Sequence, residues 1–367
     1  MEVLNITFMI SNPRFTFDRS IEYSKDFKVR WFIGWFKSNL ISKEPYHSAN
    51  HQLQLLGRPD GIRNRFIGVF DELMFVLRAV KEMKKIKADL VLVHSHRLAF
   101  LYPLLARSEN YVLVLYTTAV STSTMKRKFW DSWEKLVMLP YKKFFVATPE
   151  MIDLFGLKED NCYVTRWGMR PISVTKKSFS SLSLLYIGVL SGRRIDETIA
   201  GLRIFLDKHK DVTASYSIIG SGKPEYVEAI RSAIKHNALE EIVTYYGYLP
   251  DNEIIPYFDR CNVGVSYVPI TPYYTDVIVT KTVEYLLSGL AVIATNTNKN
   301  RAMISDDNGV LVSDDPESFA EGLEKIYKSL SSYNSQTIVE GSQEWDLDYN
   351  IKNRIVPLLK QIAGSKR

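Results

Sequence analysis

Short apolar runs alternate with helical patterns through the first half of the chain. Arg65–Lys87 carries apolar side chains three and four residues apart, which is typical of a helix that rests on a core. The short apolar runs are Leu4–Ile10, Leu90–His94, Pro103–Arg107, Tyr111–Tyr116 and Phe144–Thr148. This alternation predicts a parallel sheet with crossover helices.

The alternation begins again after Arg170–Ser183, a stretch rich in Ser, Lys and Pro that lacks apolar periodicity and is the best candidate for a linker. The predicted strands of the second half are Leu184–Ile187, Ala214–Ile219, Val243–Tyr246, Val263–Tyr267 and Ala291–Thr295. The predicted helices are Asp196–Lys208, Glu225–His236, Asn252–Cys261, Lys281–Ser288 and Pro316–Ser329. Asp348–Ile362 is amphipathic, and we expect it to pack back on the first domain.

These patterns predict an α/β fold with two Rossmann-like doubly wound domains in series. A chain of 367 residues with 46% hydrophobic residues usually divides into two domains. The predicted boundaries are 1–172 for the first domain, 173–345 for the second, and 346–367 for a C-terminal helix on the first.

Charge is unevenly distributed along the chain. The net charge is +6, and the excess positive charge lies before about residue 180. The basic segments Met125–Phe145 and Lys81–Lys87 suit an anionic membrane surface, and a solvated helix face explains them equally well. A nucleic-acid partner is not expected, because no recognised binding module accompanies the charge.

Other features of the composition exclude several classes of protein. No stretch reaches the roughly 18 apolar residues of a spanning helix, and Met1–Ile10 reads as a strand rather than a signal peptide, so we expect a cytoplasmic protein. Cys162 and Cys261 have no histidines at metal-binding spacing, and no metal site is predicted.

Glycine follows three predicted strands of the second half. The junctions are Ile187-Gly188, Ile219-Gly220-Ser221-Gly222 and Tyr246-Gly247. Ligands of open parallel sheets bind beyond the carboxyl ends of the strands, where glycine lets the backbone approach a phosphate. One such junction is usually only a turn, whereas three in one domain predict a nucleotide site.

The segment Tyr273–Thr295 carries the remaining candidate chemistry. Asp276 and Glu284 lie eight residues apart. A loop and then the start of a helix lie between them, and Lys281 is in the first turn of that helix. A carboxylate one turn into a helix can accept both ribose hydroxyls. Helix amides together with Lys281 can hold a diphosphate through charge-assisted hydrogen bonds.

These residues resemble glycosyltransferase family 4, whose members are retaining enzymes of the GT-B fold that use a nucleotide-sugar donor. The resemblance rests on Glu284, on Ser288-Gly289 through Ala294-Thr295, and on the glycine junctions, including Gly220–Pro224 and Gly247-Tyr248-Leu249. It implies two domains that face a central cleft, with the acceptor bound by the first and the nucleotide sugar by the second. It also implies no metal ion and no cofactor, since the nucleotide sugar is a substrate.

The resemblance assigns roles to individual residues. It implies that Glu284 binds the donor ribose and that Asp276 faces the donor sugar as a catalytic residue. Arg193 and Arg194 stand nearest to the basic pair that binds the diphosphate in the family, with Lys281 beside them. The chain departs from the family pattern at Val189, where the family has Arg, and at Asp276, where it has Glu. The full set of implied donor-binding residues is Gly188, Arg193, Arg194, Gly220, Gly222, Lys223, Gly247, Tyr248, Lys281 and Glu284.

The first half resembles the family mainly at Asp89–His96, a strand that ends in His-x-His. His94 and His96 are therefore candidate catalytic residues, and a structural role at a capped strand end is the alternative for both. The aromatic cluster Trp31, Phe32, Trp35 and Phe36 fits either an acceptor patch or ordinary core packing.

The resulting hypothesis is transfer of a sugar from a nucleoside-diphosphate donor to an acceptor hydroxyl, with retention. The expected acceptor is a glycan or a lipid-linked glycan of bacterial surface polysaccharide synthesis, handled at the inner face of the plasma membrane. Two alternatives remain open: a nucleotide-sugar epimerase of the same fold, and a degenerate, non-catalytic scaffold that binds a nucleotide sugar.

Overall fold

The computed structural model describes residues 1–9, 20–35, 48–57, 65–106, 110–115, 132–147, 149–165, 168–275 and 278–364. The chain forms two compact units. Unit 1 comprises Met1–Gly168 together with Leu347–Arg367, and unit 2 comprises Met169–Asp346. The chain thus leaves unit 1 once and returns to it at the C-terminus.

Unit 1 is built on a seven-stranded sheet in which every neighbouring pair is parallel. The strand order is β3-β2-β1-β4-β5-β6-β7. The strands are β1 Glu2–Met9, β2 Lys28–Trp35, β3 His51–Leu55, β4 Leu90–His94, β5 Tyr111–Val114, β6 Phe144–Val146 and β7 Cys162–Val164.

Helices cover one face of this sheet. They are α1 Arg65–Met83, α2 Leu101–Leu105, α3 at 132–138, and α4 Glu150–Phe155. The buried sides of all four pack on one core cluster, which includes Leu4 and Ile6 of β1. Val3, one residue before Leu4, belongs to a second cluster on the opposite face, as the period of two in a strand requires.

The C-terminal segment covers that opposite face. It contains α13 Leu347–Asn350, a π-helical stretch Ile351–Ile355, and α14 Val356–Gly364. Ile351, Val356 and Leu359 are buried in the same cluster as Trp31 and Leu92. Apolar positions three and five residues apart therefore join the end of the chain to the core of unit 1.

Unit 2 has a six-stranded sheet in the order β10-β9-β8-β11-β12-β13, and its neighbouring pairs are parallel as well. Its strands are β8 Leu182–Ile187, β9 Ala214–Ile219, β10 Val243–Gly247, β11 Val263–Ser266, β12 Ala291–Thr295 and β13 Gly309–Val312. Its helices are α5 Ile195–Lys208, α6 Pro224–His236, α7 Asp251–Arg260, α8 Pro272–Thr275, α9 Thr280–Leu287, α10 Asn298–Arg301, α11 Pro316–Lys328 and α12 Ser335–Gly341.

Local sequence fixes the ends of these helices. Asp315 caps α11, since its Oδ1 accepts a hydrogen bond of 2.7 Å from the Ser318 amide, and Pro316 follows at the first helical position. Gly289 ends α9 in the left-handed region at φ 75°. A Cβ there would lie 2.0 Å from Ser335 Oγ, so the tight return into β12 needs glycine.

The predicted fold class, α/β with two doubly wound parallel sheets, is confirmed. The sequence patterns missed β2, β3, β7 and β13, and the run Pro103–Arg107, grouped with the apolar runs, is helical at Leu101–Leu105. The predicted boundary at 172/173 compares with a division at 168/169 between the compact units. In the part of the chain that the structure describes, no helix is long and apolar enough to span a bilayer.

Candidate functional site

The carboxyl ends of three adjacent strands in unit 2 carry glycine. Gly188, Gly220 and Gly247 follow or end β8, β9 and β10, and their φ angles are 146°, 155° and 74°. A Cβ at Gly220 would lie 1.8 Å from the Gly188 carbonyl oxygen. The loops are therefore packed against one another in a way that leaves no room for a side chain.

Lys281 lies beside this glycine edge. Its Nζ is 3.9 Å from the centroid of the Tyr186 ring and 3.5 Å from the position of a Cβ on Gly188. The side chain is buried, and its Nζ has no hydrogen-bond partner among the described residues. Burial lowers the pKa of Lys281 well below its ordinary value, the charge of Arg193 lowers it further, and Glu284 opposes both.

Arg193 supplies a second cation at the same edge. Its Nη1 is buried and has no hydrogen-bond partner in the described part of the chain. The guanidinium stacks on Tyr274 of α8, with Cζ 4.4 Å from the ring centroid. Two neighbouring basic side chains with unsatisfied nitrogens make this edge a site for an anion.

Glu284 stands one turn after Lys281 on α9, so both side chains leave the same side of the helix. Burial raises the pKa of the Glu284 carboxyl, Lys281 lowers it, and Asp251 raises it, with a net upward shift. A half-buried carboxylate next to a cation is suited to accept hydrogen bonds from hydroxyl groups.

Arg194 is engaged elsewhere. Its Nε donates to Glu197 Oε1 at 2.7 Å, and its Nη1 donates to Asp314 Oδ2 at 3.0 Å. Its backbone is left-handed, with φ 54°. The structure therefore brings Lys281, Arg193 and Glu284 together and directs the Arg194 side chain to two carboxylates.

The remaining predicted donor-binding residues lie on the same loops. The Lys223 amide donates to Ser191 Oγ at 3.1 Å, where the first residues of α6 meet the loop after β8, and its side chain is exposed. Gly222 packs against Leu190 and Ser191. Tyr248, next to Gly247, is 71% exposed and free to offer its ring to a planar group. Asp276 lies outside the described residues.

His94 and His96 lie in unit 1 at the end of β4. His94 Nε2 is 3.4 Å from Asn5 Oδ1, and its ring centroid is 4.9 Å from that of Trp31. His96 Nδ1 is 2.7 Å from Glu72 Oε1, and its Nε2 is buried without a hydrogen-bond partner among the described residues. Both histidines sit in packed aromatic surroundings.

Sequence reasoning missed three residues that contact His96, Lys281 and Arg193. Glu72 is fully buried on α1 and binds His96, Arg97 and the Leu98 amide. Burial would raise its pKa, but these hydrogen bonds and charges outweigh burial, and the pKa lies below its ordinary value. Tyr186 and Tyr274, which lie against Lys281 and Arg193, also had no sequence signal beyond being aromatic. A carboxylate in the apolar face of α1 was the one available signal.

Among the residues that the structure describes, no three or more His, Cys, Asp or Glu side chains group together in a way that could hold a metal ion.

Residues 182–329, most of unit 2, match the family model described as glycosyl transferases group 1. No curated protein sequence matches the chain.

Solved structures match nearly the whole chain. Sucrose-phosphate synthase from Thermosynechococcus elongatus is 15% identical, covers 100% of both chains and has a TM-score of 0.67. The lipopolysaccharide outer core galactosyltransferase WaaB is 14% identical over 98% of this chain and 100% of its own, with a TM-score of 0.67. Anabaena HepE in complex with UDP-glucose is 14% identical over 98% and 100%, with a TM-score of 0.60.

At these identities the solved structures establish the fold, and the family model establishes the class of the matched segment. The predicted enzyme class, a glycosyltransferase, is confirmed by that segment. Residues 182–329 of unit 2 thus match the group 1 glycosyl transferases, within a chain that has the two-domain GT-B fold.

Proposed function

We propose that the protein is a retaining glycosyltransferase of family 4, which moves a sugar from a nucleoside-diphosphate donor to an acceptor hydroxyl. The observation that carries the proposal is the pair of buried basic groups at the glycine edge. Lys281 Nζ and Arg193 Nη1 lack hydrogen-bond partners among the described residues. A diphosphate bound there would satisfy both nitrogens.

The same pair suits the chemistry of the reaction. Negative charge grows on the diphosphate as the bond between the sugar and the diphosphate breaks. Preorganised cations in a water-poor site stabilise that developing charge, and Lys281 and Arg193 supply them. Glu284 would hold the ribose, and Asp276 would face the donor sugar. The proposed transfer needs no metal ion.

We further propose a lipid-linked glycan as the acceptor, in bacterial surface polysaccharide synthesis. The likeness to WaaB, a lipopolysaccharide galactosyltransferase, and the basic character of the first half of the chain support this choice. The first half would then work at the anionic inner face of the plasma membrane, with His94 and His96 near the acceptor.

The first experiment is calorimetric titration of the protein with UDP, GDP, ADP, TDP and CMP. Since the solved structure of HepE contains UDP-glucose, UDP is the first ligand of the panel. One nucleoside diphosphate should bind, and the NMR spectrum of the product formed from its sugar should show the anomeric configuration of the donor. Inversion would remove the family 4 assignment. Sugar conversion without any acceptor would indicate an epimerase, and binding without turnover a scaffold.

Glu284→Gln tests the ribose contact separately. Wild-type protein should prefer UDP over 2′-deoxy-UDP by about tenfold, the value of one hydrogen bond to a charged group. The variant should lose that preference, while Glu240→Gln, at an exposed position of unit 2, should keep it. An unchanged preference in Glu284→Gln would place the ribose elsewhere.

A further inference from the structure

Helix α1 has two apolar sides. Phe75, Val76, Ala79 and Val80 are buried in the core of unit 1. On the other side, Val69, Phe70, Leu73 and Leu77 are 43%, 59%, 38% and 46% exposed. Val69, Leu73 and Leu77 are four residues apart and form one row along the helix.

The apolar exposure continues on the neighbouring helices of the same layer. α2, α3 and α4 pack on the same core cluster as α1. Leucines on these helices are exposed, namely Leu104, Leu105, Leu136 and Leu154, and so is Leu139, just after α3. We call these side chains, with the outward row of α1, the outer helical face. Exposed apolar side chains gathered on one layer mark an interaction surface.

Lysines border the outer helical face. Lys81 continues the row of Val69, Leu73 and Leu77, and Lys84 and Lys85 follow in the next turn, all of them exposed. Glu82 is turned to the side, where it binds Lys85 at 2.7 Å. Lys135 on α3 and Lys142 just after it are exposed as well. The row of α1 itself contains no acidic side chain.

We propose that the outer helical face docks on an anionic phospholipid bilayer. The leucines and Phe70 would enter the boundary between headgroups and acyl chains, and the lysines would bind the headgroup phosphates. A helix that is apolar outward and ends in lysines has the two features that such attachment needs. The inference rests on the proposed function in that a lipid-linked acceptor requires an enzyme at the membrane.

Two variants separate the apolar and the charged contributions. Phe70→Gln/Leu77→Gln removes exposed apolar side chains from the face, and Lys81→Gln/Lys84→Gln removes two charges from its border. Their matched controls are Leu55→Gln/Tyr349→Gln, exposed apolar positions of unit 1 outside the face, and Lys208→Gln/Lys210→Gln, exposed lysines of unit 2.

Cosedimentation with vesicles of phosphatidylcholine and phosphatidylglycerol measures the partition of each protein. Wild-type protein should bind these vesicles, bind pure phosphatidylcholine much less, and dissociate as salt is raised. The lysine variant should bind about 30-fold more weakly, because each lysine near the surface contributes about fivefold. The apolar variant should lose tenfold or more. Both controls should bind as the wild type does.

Equal partition of the wild type and the apolar variant would overturn the proposal. So would dimerisation of the wild type that Phe70→Gln/Leu77→Gln abolishes, without vesicle binding, since it would assign the face to a second copy of the chain. Nucleotide binding, measured on the same samples, should be unchanged in all four variants. If the wild type binds the vesicles but binds no nucleotide, the proposed function is contradicted and the membrane proposal still stands.

Discussion

Lys281 carries a buried amino group for which the described residues provide no hydrogen-bond partner. Such a group costs free energy in the ligand-free protein, because burial disfavours its charged form and Arg193 repels it. A site that binds a diphosphate strongly is expected to carry this cost, since the basic side chain must be out of water before the anion arrives. Binding and stability should therefore respond in opposite directions when the charge is removed.

We predict that Lys281→Met stabilises unit 2 and abolishes nucleotide binding. Methionine keeps the apolar stem without the charge, so the free energy of unfolding should rise by about 1–3 kcal/mol. The melting temperature should rise by about 2–4 °C for each kcal/mol. Thermal unfolding and calorimetric titration measure the two effects. Lys325→Met, at an exposed position of α11, should change neither quantity. A Lys281→Met protein that still binds the diphosphate would exclude Lys281 from the site.

A second prediction concerns pH. The pKa of Lys281 is depressed in the free protein, and a bound diphosphate would raise it. Binding should then take up a proton, so affinity should fall as pH rises between the lower pKa of the free protein and the higher pKa of the complex. Titration in two buffers of different ionisation enthalpy measures the uptake. Any residual nucleotide binding by Lys281→Met should take up no proton. Proton release on binding would contradict the assignment.

The residue scale also shows where sequence reasoning reaches its limit. The spacing of Lys281 and Glu284 on a short helix was readable, because helical periodicity fixes which side chains share a face. The Arg193-Arg194 pair was not separable, since neighbouring residues at a helix start point in different directions according to backbone conformation. The left-handed conformation of Arg194 turns its guanidinium to Glu197 and Asp314.

At the scale of elements, the Arg194–Asp314 ion pair helps to join three loops at the carboxyl edge of the second sheet. Asp314, after β13, accepts from Arg194 at 3.0 Å and from the Ile270 amide at 3.0 Å. Tyr267 donates to Glu197 at 2.8 Å from the end of β11. The segment between Tyr267 and Tyr274, which carries the ring under Arg193, is thereby tied to the start of α5.

We predict that Asp314→Asn weakens nucleotide binding several-fold with little loss of stability. Partly exposed ion pairs contribute about 0.2–1 kcal/mol, so unfolding should change by no more than that. The released segment should expose residues 267–275 to hydrogen exchange and loosen the Arg193–Tyr274 stack. Asp207→Asn, which breaks an exposed ion pair with Arg203 on α5, is the control. If both substitutions affect binding equally, the tether has no role in the site.

The elements themselves were predictable where the apolar pattern was strong. Ala214–Ile219 and Ala291–Thr295 were placed to the residue. Ala291–Thr295 is an almost continuous apolar run, which is typical of a buried parallel strand, and Ala214–Ile219 alternates apolar residues with serines before it ends in two isoleucines. β3 was missed because His51–Leu55 is a short edge strand with only two apolar side chains, which is too weak a pattern to stand out. The contacts of Glu72 could not be predicted, since they depend on how α1 meets the loop after β4.

At the scale of the whole molecule, the chain closes unit 1 with residues that follow unit 2 in sequence. Leu359 of α14 is fully buried in the same core cluster as Trp31 and Leu92. A substitution there should therefore act far from its sequence neighbours. A single substitution at Leu359 separates the stability of unit 1 from that of unit 2 more cleanly than truncation of the C-terminal segment, which would remove several buried side chains at once.

We predict that Leu359→Ala destabilises unit 1 by about 2–5 kcal/mol, the range for truncating a buried leucine. Hydrogen exchange should quicken in β2 and β4, whose side chains line the vacated space, and stay slow in β8–β12. Nucleotide binding by unit 2 should persist until unit 1 is largely unfolded. Lys360→Ala, at the next and exposed position, should leave exchange unchanged. Faster exchange in β8–β12 at the same denaturant concentration would mean that the C-terminal segment supports both units, and that they unfold as one cooperative body.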